Sequence, residues 1–327
     1  MQAYMDFMMK ILYLVSNLRS APLDAFFSLI TRLGEETVFL ILGLVVFWCI
    51  DKRRGSFLLI TGLVGTVINQ ALKLMFKIPR PWVYDPSFEP VAGSKEAATG
   101  YSFPSGHTQN AIGTLGPLIT TSKTKWVKIT LAVLIALVAF SRVYLGVHTA
   151  ADVLVSLFVG LLLIFVLYPM FSSEERFNKF MPYVTVGSAF LSLLLVLFVF
   201  LCDNTGVDAD NLHSAMKNSS TLLGCTLAMI PVYFIDRRFT NFKTEGAWYV
   251  QIIKLLVGFL IVLGIKSGLS APLVALFSNE FIARGVRYFL IVIFAGVIWP
   301  MTFRRLSGLK IAALDNFACK IKYIFKK

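Results

Sequence analysis

Three short polar islands interrupt an otherwise apolar chain, and they hold the residues able to do chemistry. They are Lys73 with Arg80-Pro81, then Pro104-Ser105-Gly106-His107, then Ser141-Arg142 with His148 and Asp152. The 327 residues include only three histidines, and two of them sit in these islands. Cations, imidazoles and a carboxylate gathered at the ends of apolar stretches are the equipment for handling a phosphate.

Each island admits a plain reading beside the chemical one. His148 and Asp152 are four apart, which on a helix puts them on one face. A carboxylate at one ring nitrogen fixes the tautomer and leaves the other nitrogen nucleophilic; the plain reading is a polar helix end with Asp152 paired to a cation. Arg142 is off that face, so Gly146 and its neighbours must turn the chain for Arg142 and His148 to converge. Pro104-Ser105-Gly106-His107 precedes an apolar run and reads as a helix start, where free amides and the helix dipole attract anions. There Gly106 admits close backbone approach, the Ser105 hydroxyl caps or donates, and His107 is suited to protonate a leaving oxygen. The alternative is an ordinary capped helix. Lys73 and Arg80 share a face over two helical turns, until Pro79 and Pro81 stop the helix. Snorkelling at a span end explains Lys77, but Lys73 lies deeper, where a charge wants an anionic partner.

The elements that carry these islands are membrane spans. Hydrophobic residues make up 57% of the chain and the mean hydropathy is +0.75, above soluble domains. Nine stretches read as spans: 37–50, 56–76, 106–121, 129–146, 150–171, 183–202, 219–235, 248–265 and 288–303. The expectation is an all-α polytopic membrane protein, a helical bundle of about nine spans with an N-terminal interfacial helix. Residues 1–35 form an amphipathic segment and carry no convincing signal peptide. Residues 36–171 form a core with all three islands, and 172–327 an additional four-span region. The charged stretch 172–179 divides the two.

The net charge of +13 does not imply a nucleic-acid partner. Basic residues cluster in alternate short loops (52–54, 123–128, 237–243) and in the tail 304–327, as the positive-inside rule expects. The loop 82–103 and the acidic loop of Asp203, Asp208 and Asp210 fall on the other side, with all three islands. This places the site on the external face. Cys49, Cys202, Cys225 and Cys319 show no metal-ligand spacing. His213 lacks a spaced partner, and Lys266, Arg284 and Arg287 read either as an extension of a head-group site or, at least as well, as span-end cations. Asn218-Ser219-Ser220 matches a glycosylation triplet, a common chance occurrence.

Taken together, Lys73-x6-Arg80-Pro81, Pro104-Ser105-Gly106-His107 and Ser141-Arg142-x5-His148-x3-Asp152 resemble the three signature motifs of the type 2 phosphatidic acid phosphatase superfamily. The resemblance covers residues 37–171 and every motif position is matched. It implies hydrolysis of a lipid phosphate monoester or diphosphate, such as phosphatidic acid, phosphatidylglycerol phosphate or undecaprenyl diphosphate, without metal or other cofactor. By that resemblance His148 is the nucleophile that forms a phosphohistidine and Asp152 orients it. His107 protonates the departing alkoxide and then activates water. Lys73, Arg80, Arg142, Ser105 and the Gly106 amide hold the phosphoryl oxygens. The same intermediate in a lipid phosphotransferase is the alternative within enzymes, and a non-catalytic lipid transporter or scaffold the alternative outside them. Vanadium haloperoxidases of the superfamily are typically soluble, which this chain is not. The partners expected are a lipid phosphate and the bilayer, with a homo-oligomer through the C-terminal spans as a hypothesis. A bacterial plasma membrane is the expected location.

Overall fold

A computed structural model describes residues 2–96, 98–202 and 206–309. Asp203, Cys319 and the lysine-rich tail beyond Leu309 lie outside the described residues. Within them every regular element is helical: α1 (Gln2–Ser16), α2 (Ala21–Thr31), α3 (Glu36–Cys49), α4 (Lys52–Phe76), α5 (Pro81–Tyr84), α6 (Gly106–Thr121), α7 (Lys125–Tyr144), α8 (Ala150–Phe171), α9 (Glu174–Leu201), α10 (Ala209–Ile235), α11 (Trp248–Gly268), α12 (Ser270–Phe277) and α13 (Glu280–Ile293). A lipid interior offers the backbone no water, so it must satisfy its own hydrogen bonds, and helices do so within one segment.

Among the described residues seven helices are long and apolar enough to cross a membrane: α4, α7, α8, α9, α10, α11 and α13 with their short extensions. An eighth arises if α2 and α3, bent by 52° at the Gly34–Glu36 break, count as one span. The ninth expected stretch is α6. It is helical, but its 16 residues fall short of the roughly 20 needed to cross, so the count of nine is not met. Other spans run past their expected ends. Helix α9 begins at Glu174 and continues through Pro182, so the charged stretch 172–179 that divides the two parts is mostly helix. Helix α10 starts at Ala209, ahead of the apolar run.

The core forms around α4. Phe57, Ile60 and Val64 of α4 pack with Ile112 and Leu115 of α6 and Ile164 of α8. In lipid, burial from water cannot drive this; close van der Waals contact does, and small residues permit it. A Cβ on Gly113 of α6 would lie 3.1 Å from the Gly62 Cα of α4. On the N-terminal side, α1 rests on α7 and α8 through Met9 and Leu12. Phe7 and Leu14 on its other face are exposed.

Antiparallel connection sorts the bundle into two ends. The C-terminus of α4, the start of α6, the C-terminus of α7 and the start of α8 share the first end, as do the start of α10 and of α13, where His213 meets Glu280 at 3.7 Å. The connections from α3 to α4, α6 to α7, α8 to α9 and α10 to α11 share the other, tied by a Lys52–Asp236 ion pair of 2.6 Å.

Candidate active site

The starting point is the cap of α8. Thr149 is the N-cap, its hydroxyl accepting from the Asp152 amide at 3.3 Å while Asp152 Oδ2 accepts from the Thr149 amide at 2.8 Å. This reciprocal arrangement satisfies two free amides of the helix start and fixes the Asp152 rotamer. The same oxygen receives the Ser102 hydroxyl at 2.5 Å and faces His148 Nδ1 at 3.3 Å. Asp152 Oδ1 is buried with no partner among the described residues.

The other edge of the imidazole is also fixed. Arg80 Nη1 lies 3.0 Å from His148 Nε2. A guanidinium only donates, so Nε2 carries the lone pair and Nδ1 the proton, which it presents to Asp152. The sequence reading required this tautomer, and the Arg80 contact selects it. His148 is 2% exposed. Burial first, and then the charges of Arg80, Arg142, Lys73 and His107, hold its imidazole neutral to well below the usual histidine range.

The turn between α7 and α8 brings Arg142 to His148. Gly146 has φ of +76°, a region that favours glycine, and the Val147 and His148 amides donate back to the Arg142 carbonyl at 3.1 and 3.3 Å. Arg142 Nη1 donates to Thr31 Oγ1 at 2.6 Å, and its Nε is buried without a partner among the described residues.

Helix α4 ends earlier than the prolines predict. It stops at Phe76, with Lys77 in the left-handed region (φ 49°) donating to the Lys73 carbonyl. Arg80 is therefore not on a continuing helix face with Lys73; it is the N-cap of α5. It converges because the 99–102 loop folds over it. Arg80 Nε donates to the Gly100 carbonyl at 2.9 Å, Nη2 to Thr99 at 2.7 Å and Nη1 to Val147 at 2.8 Å. Lys73 Nζ donates to the Tyr101 carbonyl. The expected anionic partner of Lys73 is thus a carbonyl dipole in this structure.

The start of α6 closes the site. Ser105 is buried and acts as N-cap, accepting from the Thr108 amide at 3.4 Å and the Thr108 hydroxyl at 3.0 Å. Its amide donates to the Asp152 carbonyl at 3.1 Å. Ser156 Oγ ties the two helix starts, reaching the Ser105 carbonyl at 2.8 Å and the Asp152 carbonyl at 2.9 Å. Nothing lies within 4 Å of where a Gly106 Cβ would stand, so space is open in front of the first turn. The His107 ring makes no hydrogen bond among the described residues; burial first, and then the nearby charges of Arg142, Arg80 and Lys73, hold it neutral to well below the usual histidine range. All eight sequence-predicted residues therefore meet at one end of the bundle.

Three buried cations (Lys73, Arg80, Arg142) stand against one buried carboxylate, Asp152. With neutral imidazoles the buried pocket carries two net positive charges. Burying uncompensated charge costs several kcal/mol per ion, so the arrangement favours a dianion. Exposed Glu35 acts on Arg142 only from the rim.

Sequence reasoning missed Ser102, Thr31 and the carbonyls of Thr99, Gly100 and Tyr101. Ser102, three residues before Ser105, was open to suspicion; Thr31 carried no signal. It also missed the contribution of α10. Asn211, Ser214 and Asn218, spaced along one helical face, line a small crevice with Gln70 and Lys73. Asn218, of the glycosylation triplet, sits in this helix rather than in a surface loop. His213 joins Glu280, outside the site.

Comparison with known proteins bears on this geometry. The PAP2 superfamily model matches residues 55–176, and the model of the PAP2 superfamily phosphatase transmembrane extension matches residues 220–312. Sphingosine-1-phosphate phosphatase 1 of Mus musculus is 30% identical over 201 residues, 58% of this chain and 44% of that one. Phosphatidylglycerophosphatase B of Bacillus subtilis is 31% identical over 164 residues, 46% of this chain and 76% of that one. The crystal structure of Aquifex aeolicus LpxE is 26% identical with a TM-score of 0.44, covering 48% of this chain and 92% of that one. The chain spans about half the length of the sphingosine-1-phosphate phosphatases it matches. The segment matched by the first model supplies every buried ionisable group of the site, and three quarters of a bacterial relative aligns at 31% identity: this chain belongs to the PAP2 superfamily.

Proposed function

We propose that the protein is an integral-membrane lipid phosphatase that hydrolyses a phosphate monoester or diphosphate through a phosphohistidine. The observation that carries this reading is the held imidazole: Nδ1 on Asp152, Nε2 on Arg80, inside a pocket with two surplus positive charges. A phosphate monoester carries about −1.5 to −2 charge near neutral pH and matches that surplus. Its oxygens take over the donors of Arg80, Arg142 and Lys73, together with the Gly106 amide. Displacing Arg80 from Nε2 frees the lone pair for in-line attack on phosphorus.

The nitrogen–phosphorus bond forms as the bond from phosphorus to the lipid oxygen breaks. His107, able to take a proton once the dianion offsets the cations, delivers it to the departing oxygen. His148 is then cationic, and Asp152 stabilises it across the Nδ1 hydrogen bond. In the second half His107 takes a proton from water, the hydroxide attacks phosphorus, and the nitrogen–phosphorus bond breaks. Inorganic phosphate leaves and His148 returns to its neutral form. The fixed cations supply the preorganised field that phosphoryl transfer needs. They also repel a divalent metal, consistent with a reaction that uses none.

The site faces the outside in this proposal. Lys52, Arg53, Arg54, Lys123, Lys125, Lys128, Arg237 and Arg238 gather at the opposite end, the cytoplasmic one by the positive-inside rule. The polar face of α10 beside Lys73 contacts the part of the lipid next to its phosphate. The test is phosphate release by the purified protein from phosphatidic acid, phosphatidylglycerol phosphate, undecaprenyl diphosphate and a sphingoid phosphate, with a chelator present. Release from at least one, lost in His148→Ala, is expected. No release from any, or release that needs added magnesium and survives His148→Ala, overturns the proposal. Label appearing on a lipid acceptor instead of in free phosphate identifies a transferase.

A further inference from the structure

At the end of the bundle opposite the site, a cavity of about 560 Å³ separates the PAP2 core from the extension. Its walls are apolar, with Leu44 on α3, Leu63 on α4, Met181 on α9 and Met229 on α10. Protein interiors are packed to crystal density, and a space of this size falls within the roughly 300–1,000 Å³ of ligand pockets. Leu40, also on its wall, is 38% exposed, so the cavity communicates with the surroundings. In a bilayer those surroundings are lipid chains.

A second observation marks the same place. Two π-helical turns, Asp236–Thr240 after α10 and Phe294–Ile298 after α13, contribute Asp236 and Arg237, and Ala295 and Gly296, to its lining. Such turns are rare and occur frequently at functional sites.

The mouth is charged, and its pairing is incomplete. Lys52 is engaged with Asp236 at 2.6 Å, and Asp51 with Arg54 at 3.4 Å. Arg53 and Arg237 have no carboxylate partner among the described residues. Arg53 Nη1 donates to the Phe171 carbonyl at 3.0 Å. Arg237 Nη1 donates to the Tyr233 hydroxyl at 2.8 Å and the Asn178 carbonyl at 3.3 Å. Glu174 is the one carboxylate on the lining without an ion pair among the described residues. Two guanidinium forks against one carboxylate favour a phosphate, and with the active site outward, as proposed above, this end faces the leaflet where anionic lipids concentrate.

We propose that this cavity binds one anionic glycerophospholipid, with an acyl chain in the apolar space and its phosphate diester across Arg53 and Arg237. The ligand is a diester, so it is not a substrate of the site at the other end. The segment 310–327, with Lys310, Lys320, Lys322, Lys326 and Lys327 against Asp315, would bring cations against Arg53 and Arg237 and fits them poorly.

The test is native mass spectrometry of the full chain in detergent, titrated with phosphatidylglycerol or phosphatidylcholine. One tightly held phosphatidylglycerol is expected, at least tenfold tighter than phosphatidylcholine. R53Q/R237Q should weaken it about tenfold or more, K125Q/K128Q and His148→Ala should not, and Leu44→Trp or Met229→Trp should block it by filling the space. Thermal melting of each variant verifies folding. Equal affinity for the two lipids, equal loss in R53Q/R237Q and K125Q/K128Q, or binding that appears only after truncation at Leu309 would overturn the proposal. The last result would make the C-terminal segment the occupant.

Discussion

Asp152→Asn is the sharpest test of the phosphohistidine mechanism, because the change is nearly isosteric and its cost follows from the geometry. The asparagine can keep accepting from the Thr149 amide and the Ser102 hydroxyl, so the cap of α8 survives. The oxygen that keeps those bonds is the one 3.3 Å from His148 Nδ1, so the tautomer is kept as well. What is lost is the negative charge that stabilises the imidazolium-like intermediate. At 3.3 Å and an effective dielectric of about 20, that attraction is worth about 5 kcal/mol. At 1.36 kcal/mol per decade this is a loss of about three to four powers of ten in kcat. The loss falls on a charge that develops only during reaction, so KM should move by less than tenfold. The assay is phosphate release from a short-chain phosphatidic acid in mixed micelles, with thermal melting as a folding control. A folded Asp152→Asn protein that keeps kcat within tenfold of the parent would refute the role assigned to this carboxylate. A loss confined to KM would instead make Asp152 a binding residue.

Other expectations can be checked alongside. His148→Ala and His107→Ala should each nearly abolish phosphate release, by at least about 10², while both proteins still reach the membrane; full activity in either ends the assignment. Gly146→Ala forces a side chain into the left-handed region and toward Arg19 Nη2 at 2.5 Å and the Phe88 ring at 2.8 Å. It should cost at least about 1 kcal/mol of stability and lower kcat by misplacing Arg142 and His148, read from melting and kinetics together. Acid stability has a definite sign. His148 stays neutral in the fold to well below the usual range, whereas unfolded histidine takes a proton near pH ~6.5. The unfolded chain thus binds the extra proton, and stability drops as pH falls below about 6.5, by up to ~1.4 kcal/mol per pH unit for this group. His148→Asn should lose stability less steeply between about pH 6.5 and 5; parallel slopes for the two proteins would refute the buried neutral state.

Some of this protein was legible from the chain because the physics is local. Spans announce themselves by length and apolar content, and the His148–Asp152 pairing follows from the rise of one helical turn, whatever surrounds it. The start of α6 was readable from Ser105 and Gly106, since a cap is an interaction over three residues. Even the bend at Gly146 was anticipated, because no continuous helix aligns residues six apart. What only the tertiary structure decided depends on which helices lie side by side. The short reach of α6, the early stop of α4 at Lys77, and the loop carbonyls of Thr99 and Gly100 that aim Arg80 are long-range outcomes. Thr31 touches Arg142 across 111 positions of chain, and the void beneath the extension exists only where α3, α4, α9, α10 and α13 fail to close on one another. Local geometry fixes the face a side chain occupies; the neighbour it meets there is set by packing, and a single sequence does not print its packing.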